Sequence, residues 1–111
     1  MDSFGTLVRK LRESRKFLLR EVAAKLGIDP SLLSRIERGK KRATRAHVLQ
    51  LASLLSVDEN ELLIFYLSDN LVYDLGGEVL ALPVMRAAEK KIRYLSQQKQ
   101  TSLQLRGKKI S

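Results

Sequence analysis

An all-α fold follows from three features of this 111-residue sequence. Apolar side chains recur at i, i+3, i+4 and i+7 along most of it, the spacing of one helix face. Serine, threonine, aspartate and glycine punctuate those runs where helix caps belong. No run alternates in the manner of a half-buried strand, and no internal repeat is present.

The elements follow in order. Phe4, Leu7, Val8 and Leu11 form the first apolar stripe, with Asp2 or Ser3 as its cap. Leu19, Val22, Ala23 and Leu26 form the second, and Gly27 supplies a left-handed stop. Asp29 caps a third helix with Pro30 at its first position, where the missing N–H is not needed. Leu32, Leu33 and Ile36 face inward there, and Gly39 ends it. A fourth helix starts at Thr44, runs to about Leu55 and buries Val48, Leu49, Ala52 and Leu55. A fifth starts at Asp58, with Glu61 completing a capping box, and continues to the Gly76-Gly77 break. A sixth, from about Pro83 to Gln97, buries Val84, Ala87, Ala88, Ile92 and Leu95. Residues 98–111 lack sustained periodicity and read as a disordered basic tail.

Composition narrows the function. There are no cysteines, so neither a disulfide framework nor a Cys-based metal site is available, and a cytoplasmic, reducing setting is expected. No apolar run approaches the length of a membrane span, and MDSFGTLVRK lacks the apolar core of a signal peptide. The net charge of +9 is segregated. Residues 1–45 hold 13 Lys/Arg against 5 Asp/Glu, residues 46–85 hold none against 6, and residues 86–111 hold 8 against 1. A basic front, an acidic apolar middle and a basic end describe a polyanion-binding module joined to a part with another task. Nucleic acid is the polyanion expected.

Two short helices joined by a glycine turn form a helix-turn-helix unit. Small Ala23 lets the helices approach, while Val22, Leu26, Ile28, Leu33 and Ile36 set their crossing. The stretch LREVAAKLGIDPSLLSRIERGKK, with Leu11-Arg12 before it and Leu54 to Leu63 after it, resembles the phage-repressor or XRE-type helix-turn-helix family. The resemblance covers roughly residues 4–64, and SRIERG (Ser34 to Gly39) is its most characteristic element. It implies a five-helix domain over residues 2–64 that binds double-stranded DNA; the apolar pattern adds a C-terminal helical extension over 65–97, with the basic tail beyond.

Chemistry then distributes the roles. The inner face of the third helix is occupied by leucines and Ile36, so Pro30, Ser31, Ser34, Arg35 and Arg38 are free to enter a groove. In the family, the start of this helix and the position one turn later read bases, which here falls on Pro30, Ser31 and Arg35. Arg35 is the expected principal reader, because a guanidinium can donate twice to O6 and N7 of guanine. Ser31 and Ser34 can meet a base edge or a phosphate, and Pro30 can give only apolar contact. Arg38, Lys40, Lys41, Arg42, Thr44 and Arg45 are expected on the sugar-phosphate backbone, where contacts set register and make affinity salt-dependent. Arg15, Lys16 and Arg20 form a second clamp. Leu18 and Leu19 stand where relatives often carry a capping polar residue and a phosphate-binding glutamine, and Arg20 is the expected substitute. By the same resemblance Arg12 and Glu37 form a partly buried ion pair that serves the scaffold.

No catalytic constellation, metal cluster or cofactor motif is present, and no enzymatic activity or cofactor is expected: His47 is the sole histidine, and no phosphate-binding glycine loop or nucleophile elbow occurs. Residues 62–95 carry more apolar surface than a capping helix needs. Phe65, Tyr66, Tyr73, Leu75, Leu82, Met85 and Tyr94 are therefore expected at a two-fold homodimer interface. The alternative is that they complete the monomer's own core. The functional expectation is a sequence-specific dimeric transcriptional regulator, a repressor or autoregulator, with a restriction–modification controller as one form of it. An antitoxin whose C-terminal part neutralises a protein partner, and non-specific coating of nucleic acid by the tail, are the competing readings.

Overall fold

The computed structural model describes residues 2–110, with side chains described through Lys99. Six helices follow one another: α1 Phe4–Ser14, α2 Leu19–Leu26, α3 Pro30–Glu37, α4 Arg45–Leu54, α5 Glu59–Leu75 and α6 Ala81–Ile110. No strand occurs among the described residues, so the chain is all-α, as its periodicity predicts. It divides into two compact units, Met1–Asp74 and Leu75–Ser111.

Within the first unit the caps are those that short-range chemistry selects. The Ser3 hydroxyl accepts from the Thr6 N–H at 3.3 Å and starts α1. Leu18 has no side-chain acceptor to give, so α2 uses only the reciprocal half of a capping box, in which Glu21 Oε1 accepts the Leu18 N–H at 2.9 Å. Asp29 accepts from the Ser31 N–H at 3.0 Å, with Pro30 at the first helical position. Thr44 and Asp58 do the same for α4 and α5, through the N–H groups of His47 and Glu61.

The core sits where α1, α2, α3, α4 and the first half of α5 meet. Val8, Leu33, Val48, Leu51 and Leu55 are its largest fully sealed side chains, each leucine contributing ~1.5–3 kcal/mol of burial. On α4 the sequence places Leu49 inward, whereas Leu51 is buried and Leu49 only half-buried. The difference is register: Val48, Leu51, Ala52 and Leu55 share a face, and Leu49 lies at its margin.

Tyr66 corrects a larger expectation. Its ring meets Phe4 edge-on, with centroids 5.1 Å apart and planes at 68°, and its hydroxyl donates to the Ala43 carbonyl. It is buried in this unit's own core and is no surface residue for a partner. Phe65 is half-buried against the same core. α5 therefore belongs to the first unit as far as Asp74.

The second unit consists of the Gly76-Gly77 turn and α6. The helix begins at Ala81 with Pro83 in its first turn, and its backbone is helical to Ile110, past the expected end at Gln97. From Gln100 onward the expected disordered tail lies outside the residues whose side chains are described. Val84, Ala87, Ile92 and Leu95, expected to be buried, are exposed, and Ala88 is half-buried. The apolar stripe of α6 is present but unsealed.

Candidate nucleic-acid interface

α3 is held from behind on two sides, against α2 through Ala23, Leu26 and Leu33, and against α1 through Gly5. The α2–α3 turn is possible because Gly27 takes φ 70°, ψ 31°, a left-handed conformation that costs an L side chain about 1–2 kcal/mol. Its N–H bonds back to α2, and the Ile28 N–H follows to Ala23 O at 3.0 Å. With Leu33 and Ile36 buried, the opposite face of α3 is left to solvent. Pro30, Ser31, Arg35 and Arg38 are exposed on it and Ser34 is half-buried.

The chemistry of that face is more specific than its composition suggests. Asp29 Oδ1 accepts both the Ser31 N–H and, at 2.9 Å, the Ser31 hydroxyl. These two bonds hold the Asp29 carboxyl below its ordinary range, the backbone bond contributing most. The cap is thus present at neutral pH and is lost as pH falls through that lowered value. The Ser31 hydroxyl proton is engaged, so toward solvent the oxygen offers lone pairs. Arg35 makes no ion pair among the described residues.

The flanking cations form two groups. Lys40, Lys41, Arg42 and Arg45 follow α3 and are exposed, and among them the neutral, exposed Thr44 caps α4. Lys16 and Arg20, with half-buried Arg15, lie around the α1–α2 turn and the start of α2, where Phe17 and Leu18 are exposed as well. Arg15 folds back on Leu11 O and Ser14 Oγ, and Arg38 Nε reaches Ser34 O at 3.4 Å.

Arg42 differs from its neighbours. Its Nη2 lies 3.3 Å from Asp74 Oδ1, and its guanidinium carbon is 5.6 Å from the Tyr73 ring centroid. The far half of α5 thus holds a cation expected on phosphate. Nearby, Asp69 Oδ2 accepts the Phe4 N–H at 3.2 Å, a remote cap on α1. Asp69, Asn70 and Tyr73 line one side of a cleft of about 290 Å³ whose other walls include Phe4 and Arg42. Local patterns do not reveal Asp69, Tyr73 and Asp74 as partners, because the partners lie 65 and 32 residues away.

The scaffold pair is unambiguous. Arg12 Nε and Nη2 meet Glu37 Oε2 and Oε1 at 2.8 and 3.0 Å, a two-pronged contact, and Nη1 donates to Phe17 O at 2.9 Å. The hydrogen bonds to Glu37 raise the Arg12 pKa above its ordinary value.

A family model described as a helix-turn-helix domain matches residues 3–63. The chain belongs to the helix-turn-helix family, of the XRE type. That places it among the DNA-binding domains of transcription regulators. It is also similar to the HTH-type transcriptional repressor RghR of Bacillus subtilis (strain 168), at 38% identity over 58 residues. The match spans 51% of this chain and 43% of that protein, so the chain covers less than half of that relative's length. No solved structure matches. Among the described residues, no helix is long and apolar enough to cross a membrane, and no acidic or histidine cluster could hold a metal.

Proposed function

We propose that the protein is a sequence-specific transcriptional repressor that reads the major groove with α3 and binds its operator as a homodimer. One observation carries the reading: α3 turns its leucines into the core and leaves Pro30, Ser31 and Arg35 together on an open, basic face. Arg35 reads guanine through O6 and N7. Ser31, its proton held by Asp29, accepts from an exocyclic amino group of adenine or cytosine. Pro30 packs on a thymine methyl. Lys40, Lys41 and Arg45 on one side, and Lys16 and Arg20 on the other, bracket the groove by its phosphates. A single half-site is short, and two modules spaced about 34 Å apart supply the remaining affinity. The similarity to a named repressor supports the sign of regulation.

Selection of bound DNA from a random duplex pool tests this reading. The expected product is a two-fold repeated site containing a guanine. Arg35→Ala should lose preference at that guanine by about 1–3 kcal/mol while keeping its salt dependence. Equal affinity for all duplexes would overturn the reading.

Arg42 gives a second expected result. Asp74 competes with phosphate for its guanidinium, so Asp74→Asn should tighten DNA binding. An exposed pair is worth ~0–1 kcal/mol, which sets the gain at up to about fivefold. The slope of log affinity against log salt should steepen by about 0.9, one added phosphate contact. Titration at several salt concentrations measures both, and weaker binding with an unchanged slope would show that Asp74 aids Arg42 instead.

The exposed apolar surface of α6 also fits an antitoxin that captures a protein partner. Co-purification of a second polypeptide in stoichiometric amount would favour that reading.

A further inference from the structure

α3 begins without a free hydrogen-bond donor. The first N–H groups of a helix have no partner within it and are ordinarily open to a ligand. Here all are taken or missing. Pro30 has no N–H, the Ser31 N–H goes to Asp29 Oδ1 at 3.0 Å, and those of Leu32 and Leu33 go to Asp29 O at 2.9 and 3.2 Å. The Ser31 hydroxyl is engaged as well. Its oxygen lies 2.9 Å from Asp29 Oδ1, and an ionised carboxylate has no proton to give, so the shared proton is that of Ser31. The lowered pKa of Asp29 keeps its carboxylate ionised at neutral pH. Asp29, Pro30 and Ser31 are exposed, and they present to solvent a proline ring and oxygen lone pairs. This edge can accept but not donate.

In the major groove such an edge has one class of partner, because the only donors there are the exocyclic amino groups, N6 of adenine and N4 of cytosine. One amino hydrogen is held by the opposite base, and the other points into the groove. Methylation of that nitrogen replaces the groove hydrogen, since the pairing hydrogen is needed by the base pair. The donor becomes an apolar bump, and the Ser31 oxygen is left in a closed contact without a partner, which costs more than the bond contributed. Ser31 cannot swing aside without breaking its bond to Asp29, and the same cap fixes the backbone beneath it. We propose that the Asp29–Ser31 edge makes DNA recognition sensitive to methylation. The protein binds where the adenine or cytosine facing Ser31 carries an unmodified amino group, and binding is lost when that nitrogen is methylated. This rests on the major-groove reading above and adds a chemical state of the DNA to which the regulator responds. The two amino groups of a two-fold site lie on opposite strands, so methylation of one strand blocks one half-site and leaves the other.

The site recovered from the random duplex pool is resynthesised with single N6-methyladenine or N4-methylcytosine replacements, and each duplex is titrated with the full-length protein. At one amino position per half-site, methylation should weaken binding about tenfold, and about a hundredfold where both half-sites carry it. Which of the two replacements acts identifies the base. Ser31→Ala, a change at an exposed position, removes the acceptor and makes room for the methyl group. Its affinities for methylated and unmodified duplexes should differ by less than about twofold. Arg35→Ala should keep the full methylation effect, because it acts on guanine. Equal affinity for methylated and unmodified DNA at every adenine and cytosine overturns the inference and leaves the groove reading standing. So does a methylation effect that Ser31→Ala retains, since crowding elsewhere in the groove would then cause it, and so does tighter binding to methylated DNA. A selection that returns no preferred site defeats the groove reading itself, and the inference with it.

Discussion

Arg12→Ala should lower the stability of the helix-turn-helix unit by about 3–5 kcal/mol, as much as the truncation of a fully buried core leucine. The reason is asymmetry rather than the strength of the pair. Arg12 is 11% exposed and Glu37 5%, so removal of the guanidinium leaves a carboxylate sealed with no counter-charge. Three bonds go at once, two to Glu37 and one to Phe17 O, which also fixes the turn before α2. Glu37 closes α3, so the disturbance falls on the end of the reading helix. At roughly 4–8 °C per kcal/mol for a domain of this size, the melting temperature should drop by at least about 12 °C. Circular dichroism melts of Arg12→Ala, Glu37→Leu and the double variant check it. The double variant should melt above Arg12→Ala, because it strands no buried charge. Well below its melting temperature, Arg12→Ala should still bind DNA. Unchanged stability with abolished binding would make Arg12 a DNA contact instead of a scaffold residue.

What the sequence could show and what it could not divide along a physical line. Caps and turns are local: Ser3, Asp29-Pro30, Thr44 and Asp58 each act within three residues, and their helices begin where those residues stand. The exposed face of α3 was equally legible, since three apolar residues at helical spacing dictate which side remains open. Register on α4 was not, because Leu49 and Leu51 both border a plausible stripe and only the positions of α2 and α3 choose between them. The sequence leaves Tyr66 between two places because an aromatic on an apolar helix suits a core and an interface equally well. Its hydroxyl bond to Ala43 decides the matter, and that partner is 23 residues away. Arg42 was read by its charge and its loop, whereas Tyr73 and Asp74 are brought to it by the length of α5. Composition also does not distinguish a stripe that is buried from one that is exposed, which is why Val84, Ala87, Ile92 and Leu95 read as buried in the sequence and are exposed on α6.

Gly5→Ala should be as damaging as the loss of Arg12, although nothing in the local sequence marks this glycine. In the interior of an ordinary exposed helix the same change stabilises by about 1 kcal/mol. Here the sign reverses. A Cβ at position 5 would collide with Ile36 O and lie 2.5 Å from Glu37 O, both backbone atoms at the end of α3. No rotamer can relieve a clash between Cβ and backbone, so α1 or α3 must move as a body. Overpacking costs ~1–3 kcal/mol where side chains can yield, and a backbone obstacle puts the expected loss at about 3 kcal/mol or more. The displacement also reaches DNA binding, because it changes the seat of α3 on α1, and Arg12–Glu37 spans the same α1–α3 contact. Gly27→Ala is the natural control. Its Cβ would meet nothing within 4 Å, and only the φ of +70° opposes it, a loss of about 1–2 kcal/mol. Urea unfolding of both variants, with DNA affinity measured on the folded protein, separates the two causes. Gly5→Ala should lose stability and affinity together, and Gly27→Ala should lose less stability. A Gly5→Ala protein that unfolds at the wild-type midpoint would mean that α1 and α3 are held farther apart than backbone contact, and the rigid seat of the reading helix would have to lie elsewhere.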